Sequence, residues 1–231
     1  MNGKITDIES MGSADGPGVR LVVFMAGCKL RCLYCHNPET WTDKDAKTIT
    51  AEEILQRFKK YETYYGEHGG VTFSGGEPLL QSEFLLEAIK LLKANGVHVT
   101  IDTCGVADGY DEVLDLVDLV ILDIKAVERD EYKFITGREF DDFENFLKSC
   151  ISKNKKLWLR QVIVPGINDD EAHVLKLKEF AKNIPNVERI ELLPYHSMGK
   201  SKYEKLGIEY RLGDTPNMDK ELTKKLEDML K

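Results

Sequence analysis

The sequence lacks any long apolar run: nowhere in its 231 residues does one approach the roughly 20 residues that a membrane span requires. Its first residues, MNGKITDIESMGSADGPG, hold no apolar stretch of the kind an export signal needs, which makes the cytoplasm the default compartment. A basic surplus is missing too. Lys and Arg number 32 against 40 Asp and Glu, the net charge is −8, and the positive residues are scattered. Proteins that neutralise nucleic-acid phosphates carry a basic excess or stripe, so nucleic acid is not an expected partner. Cysteine is scarce, at five, and a disulfide framework is excluded: the count is odd, three lie together, and no signal peptide accompanies them. No obvious linker divides the chain, and a hydrophobic share of 42% supplies a core.

What is present is a rhythm. Short β-branched runs read as buried parallel strands: VRLVVFMAG, GVTFSGGE, VHVTIDTCG, DLVILDIK, KLWLRQVIVPG and VERIELLPYH. Amphipathic stretches lie between them. In AEEILQRFKKYETYY, the residues Ile54, Leu55, Phe58, Tyr61 and Tyr65 share one helical face, and Thr50 with Glu53 forms a capping box before it. QSEFLLEAIKLLKANG ends on Asn95-Gly96, a helix stop. YDEVLDLV, the 142–153 region, DDEAHVLKLKEFAKN and the closing MDKELTKKLEDMLK supply further helices. Six β-α units predict an α/β fold with a parallel sheet, either doubly wound or a partial (β/α)6 open barrel. The open barrel is preferred, because polar residues gather at strand C-terminal ends, where such folds place their chemistry: Cys28, Ser74–Glu77, Asp102-Thr103, Asp123 with Lys125, and Tyr195-His196. The expected organisation is one domain over 1–231, with a leading segment 1–18, the partial barrel 19–200 and a helical segment 201–231.

The cysteines Cys28, Cys32 and Cys35 carry the sharpest signal. With His36 they offer a Cys3His zinc set, but structural zinc uses two short ligand pairs parted by a longer loop, and adjacent Cys35 and His36 fit that poorly. A four-thiolate cluster lacks a clear fourth ligand, Cys104 being the near candidate and Cys150 lying in a predicted helix. Three thiolates on a cubane iron–sulfur cluster leave one iron open, and an open coordination site belongs to catalysis.

CKLRCLYC, with its CxxxCxxC spacing, resembles the radical S-adenosylmethionine (SAM) superfamily, and SGGEP at 74–78 resembles that superfamily's GGE motif. DGPGVR, GCKLRCLYCHNPETW, SGGEP, IDTCG, LDIK, VPG and ELLPYHSMGKSKY follow one another as in the glycyl radical enzyme activases of the pyruvate formate-lyase type. Only TDKDAKTIT separates the cysteine loop from the first helix, so the ferredoxin-like insert of other activases is absent.

The resemblance implies one [4Fe–4S] cluster on Cys28, Cys32 and Cys35, with SAM on its open iron. It places SAM near Tyr34, Cys35, His36, Gly75, Gly76, Glu77, Asp123, Ile124, Lys125, Arg160 and His196. Gly75 and Gly76 suit close backbone approach, and Glu77 suits securing the turn. Asp102 and Asp123 would repel one another if buried unpaired. The resemblance implies a monovalent cation (Na⁺ or K⁺) there, held by Asp102, Thr103, Ile121 and Asp123; an Asp123–Lys125 pair is the alternative. Arg160 either reaches SAM or substrate or forms an ion pair. Asp15 and Gly16 lie in the segment expected to receive the partner's glycine loop. The implied partners are a glycyl radical enzyme, foremost pyruvate formate-lyase, and a flavodoxin or ferredoxin as electron donor, with the chain itself a monomer. A different glycyl radical enzyme, a small-molecule substrate, or a non-enzymatic zinc or iron–sulfur module remain the alternatives.

Overall fold

The computed structural model describes residues 1–231. Eight strands form one sheet: β1 (Asn2–Gly12), β2 (Arg20–Met25), β3 (Lys47–Thr50), β4 (Gly70–Gly75), β5 (His98–Thr103), β6 (Leu119–Asp123), β7 (Leu157–Ile163) and β8 (Val187–Pro194). Their spatial order is β3-β1-β2-β4-β5-β6-β7-β8. All neighbours from β2 to β8 are parallel, whereas β1 is antiparallel to both β2 and β3. The ends of the sheet, β3 and β8, do not pair, so the sheet stays open. The six parallel strands match the six runs in the sequence. The antiparallel pair goes beyond them: most of the leading segment 1–18 is strand, and the spacer after the cysteine loop ends in another.

The helices are α1 (Ala51–Tyr65), α2 (Ser82–Ala94), α3 (Asp111–Leu116), α4 (Arg129–Thr136), α5 (Asp141–Ser152), α6 (Glu171–Lys182), α7 (Lys200–Leu206) and α8 (Lys220–Asp228). The capping box forms as read: the Glu53 amide donates to Thr50 Oγ1 at 3.1 Å, and the Thr50 amide to Glu53 Oε2 at 2.8 Å. Helix α2 stops at Gly96, whose φ of +74° ends the helical path.

Strand alternation sorts the residues by face. On β4 and β5, Val71, Phe73, Val99 and Ile101 are fully buried and join a core shared with Ile54 of α1, Leu85 and Ile89 of α2, and Phe146 of α5. The other face carries Thr72, Ser74, Thr100 and Asp102 toward the barrel interior. The 13–18 loop lies along that inner face, where Thr72 Oγ1 donates to the Asp15 carbonyl at 2.6 Å. Arg20, fully buried, holds the loop from below: its guanidinium donates to Thr72 Oγ1 at 2.6 Å, Val71 O at 2.8 Å and Pro17 O at 3.0 Å.

Candidate active site

The cysteine loop leaves the end of β2 and is anchored by its backbone on every side. The Gly27 amide donates to Thr40 O at 2.7 Å, Arg31 and Leu33 amides donate to Thr136 O and Ile135 O at 2.9 Å each, and Tyr203 Oη donates to Cys35 O at 2.9 Å. With the main chain so occupied, Cys28, Cys32 and Cys35 all line one cavity of about 220 Å³. Burial pushes the Cys32 thiol up to about 12, with the Lys125 charge opposing. A thiol in such a setting ionises when a metal centre supplies the compensating charge.

Facing the thiols is the end of β4. Gly75 sits at φ +108°, and a Cβ on Gly76 would lie 2.1 Å from the Gly27 carbonyl oxygen, so both positions require glycine. Glu77, fully buried, does not line the cavity. Its carboxylate accepts from Thr103 Oγ1 at 2.6 Å, the Cys104 amide at 2.9 Å, Cys104 Sγ at 2.8 Å and the Leu79 amide at 3.1 Å. It ties the end of β4 to the end of β5.

Asp102, Thr103, Asp123 and Lys125 complete the wall. Lys125 Nζ pairs with Asp123 Oδ2 at 2.7 Å and stands 5.8 Å from the centre of the Tyr34 ring. Burial opposes the Lys125 charge, but Asp123 and the surrounding acidic groups hold its pKa well above the ordinary value. Asp102 accepts from Ser74 Oγ at 3.0 Å. Burial first, then the Asp123 charge, raises its pKa to about 7, while Arg160 and Ser74 pull it down. The Asp123–Lys125 pair is therefore formed, and Asp102 has only the more distant Arg160 guanidinium, at 3.9 Å, as a cation. Tyr34 Oη is buried with no hydrogen-bond partner, a polar group left over for a ligand.

A second cavity of about 570 Å³ shares Ser74, Asp102, Asp123 and His36 with the first and extends it outward to Asp15, Gly16 and Arg160. Arg160 lies in register with Asp123 on one side and Glu191 on the other. Its Nε donates to Glu191 Oε2 at 2.7 Å, its Nη2 donates to the Ala14 carbonyl, and Nη1 lies 3.9 Å from Asp102 Oδ2. His36 and His196, both exposed, meet edge to face with ring centres 4.4 Å apart, where the cysteine loop meets the end of β8. Ile121 and Ile124 are buried in or beside β6 and line neither cavity with their side chains; the Ile124 amide donates to Arg160 O at 2.7 Å.

Several neighbours were not legible beforehand. Ser74 stood in the quoted SGGEP but carried no assigned role. Glu191 needed the β7–β8 register to be paired with Arg160. Tyr203 reaches Cys35 from 168 residues away, a contact with no local signal. Cys104, the near candidate for a fourth thiolate, lines the thiol cavity and donates to Glu77.

The donor set fits a polynuclear iron–sulfur group: three thiols rim a cavity with an open side. Fold and site together define an α/β enzyme of the radical SAM class: residues 22–177 match the family model "Radical SAM superfamily". The chain is 52% identical to the pyruvate formate-lyase-activating enzyme of Clostridium pasteurianum, over 99% of this chain and 97% of that protein. It is 42% identical to that of Staphylococcus epidermidis, over 97% and 93%. Among solved structures, a domain of the pyruvate-formate lyase-activating enzyme from Bacteroides vulgatus matches at TM-score 0.57 and 25% identity, over 70% of this chain and 92% of that one. Streptococcus suis SuiB bound to precursor peptide SuiA matches at TM-score 0.68 and 17% identity over 92% of this chain and 46% of that one, a likeness of fold. The chain thus belongs to the radical SAM superfamily and, within it, to the pyruvate formate-lyase-activating enzyme family. Membership implies a [4Fe–4S] cluster, SAM and a glycyl radical enzyme as partner. No helix is long and apolar enough to cross a membrane.

Proposed function

We propose that this chain activates pyruvate formate-lyase, working in the cytoplasm as a single-domain monomer. Cys28, Cys32 and Cys35 hold the cluster. Bound there, the cluster and SAM supply a reducing electron and a 5′-deoxyadenosyl radical capable of taking an α-hydrogen from glycine. The observation that carries the reading is the sequence of spaces: a thiol-lined cavity that opens into a larger chamber reaching the 13–16 loop.

The chain's own residues orient and contain. Gly75 and Gly76 let the β4 end lie against the cysteine loop with no side chain between. Lys125 presents a buried ammonium to the SAM carboxylate, and Asp123 keeps that ammonium charged. Tyr34, His36, His196 and the backbone of Ile124 surround the adenosyl group, and Arg160, pinned by Glu191 and the Ala14 carbonyl, faces SAM from the outer chamber. A monovalent cation held by Asp102, Thr103, Asp123 and the Ile121 carbonyl offsets the carboxylate pair; the raised Asp102 supports that need. Asp15 and Gly16 receive the glycine loop, for which an α-carbon without a side chain suits a narrow chamber. The electron donor is a reduced flavodoxin or ferredoxin.

The test is an EPR spectrum of the anaerobically reconstituted, reduced protein mixed with SAM and pyruvate formate-lyase. A glycyl radical doublet, absent for Cys32→Ala, is expected. SAM cleavage without the doublet would move the substrate elsewhere.

A further inference from the structure

The charge around the cysteine loop is uneven. In a chain of net charge −8, three exposed arginines bond to residues 28–31, and their hydrogen-bond partners are carbonyls of that loop rather than carboxylates. Arg31 Nη1 donates to Cys28 O and Leu30 O at 2.7 Å each, with its guanidinium 4.9 Å from the centre of the Trp41 ring. Arg138, just after α4, donates to Lys29 O at 3.2 Å. Arg211, beyond α7, donates to Arg31 O. Two distant parts of the chain thus join the loop's own Arg31 in bringing positive charge there, and the three take up all four carbonyls of residues 28–31. Ion pairs neutralise the flanking lysines instead, Lys29 with Asp108 and Lys133 with Glu139. Phe134 is 63% exposed on α4, one residue before the carbonyl that holds Leu33. Unpaired guanidinium groups, with an exposed aromatic on the helix that Arg138 follows, are the composition of an interface.

We propose that this arginine face docks a small, acidic, low-potential one-electron carrier protein; the inference rests on the activation reading above. None of the three arginines lines the thiol cavity or the outer chamber, where SAM and the partner's glycine loop belong. Arg31 holds the carbonyl of Cys28, whose thiol lines the cavity. An electron entering here leaves the carrier oxidised by one electron and the cluster reduced by one, with no bond or proton exchanged. Complementary charge steers and orients such an encounter.

Flavodoxin is the probe, its dissociation constant measured against the reconstituted holoenzyme across ionic strength. Arg138→Gln/Arg211→Gln should bind roughly tenfold more weakly with a flatter salt dependence. Arg138→Lys/Arg211→Lys, which keeps charge but not the guanidinium geometry, should stay within about threefold of wild type. Equal binding by the Gln variant, a Lys variant as weak as the Gln variant, or a salt-insensitive wild type would overturn the proposal. So would a Gln variant that loses pyruvate formate-lyase binding while keeping flavodoxin, because the face would then belong to that partner. Dithionite-driven SAM cleavage separates the two readings: its absence in wild type removes the activation reading, whereas its persistence in the Gln variant alongside weakened flavodoxin binding locates the defect in docking.

Discussion

The Glu77 amide donates to the Gly27 carbonyl at 2.7 Å, tying the GGE turn to the start of the cysteine loop. Gly76 lies inside that contact, with room for no Cβ. Gly76→Ala is expected to displace the cysteine loop. After anaerobic reconstitution its iron and sulfide content should fall below about half of wild type while far-UV circular dichroism is unchanged, because a strained backbone contact costs on the order of 1–3 kcal/mol and is relieved locally. Full cluster content in this variant would show that the turn yields instead of the loop.

The Glu77 carboxylate is the buried joint between β4 and β5. Glu77→Gln keeps the shape but exchanges charge-assisted bonds for neutral ones and brings a donor toward the Cys104 amide. A loss of about 2–3 kcal/mol is expected, read as a lower urea midpoint at constant m. Thr103→Val should cost about 1 kcal/mol, and the double variant less than the sum, because the two share one bond. Additive effects would mean that they act apart.

Acid should loosen the molecule through two histidines remote from the thiols. Arg20 Nη2 donates to His98 Nδ1 at 3.2 Å, so the ring is neutral. Burial, then the Arg20 charge, holds its pKa below the ordinary 6.5, with Asp118 opposing and Lys93 assisting. Burial also lowers His173, against Asp170 and Glu128, with Lys176 assisting. Below 6.5 the unfolded chain binds more protons at these sites than the folded one. Their contribution is therefore complete above 6.5 and is lost as pH falls through the depressed values. Midpoints of urea unfolding at several pH values should fall less steeply for His98→Asn, whose amide oxygen still accepts from Arg20. An unchanged slope would assign the acid response elsewhere.

The six parallel strands were legible because each is a β-branched run, five of them with polar residues at the C-terminal end, and the cysteine loop because its chemistry sits within a few residues. Strand β1 was not. NGKITDIESMG is largely polar, since β1 keeps solvent on alternate positions and lies beside the short edge strand β3. At the site, the sequence carried the strand-end residues Asp102, Asp123 and Lys125 but not their pairings. Arg160 offered either an ion pair or a ligand, and only the β7–β8 register brings Glu191 to it. The arginine face was invisible for the same reason: Arg31, Arg138 and Arg211 have no local relation and meet only when α4 and the segment after α7 close on the loop.

That closure has a consequence for biosynthesis. Tyr203, which fastens Cys35, follows it by 168 residues. At roughly 5–20 residues per second, the cysteines leave the ribosome some 10–30 s before their outer seal exists. The cysteine loop is therefore unfastened at Cys35 while most of the chain is being made, and is tied down there only after α7 has followed.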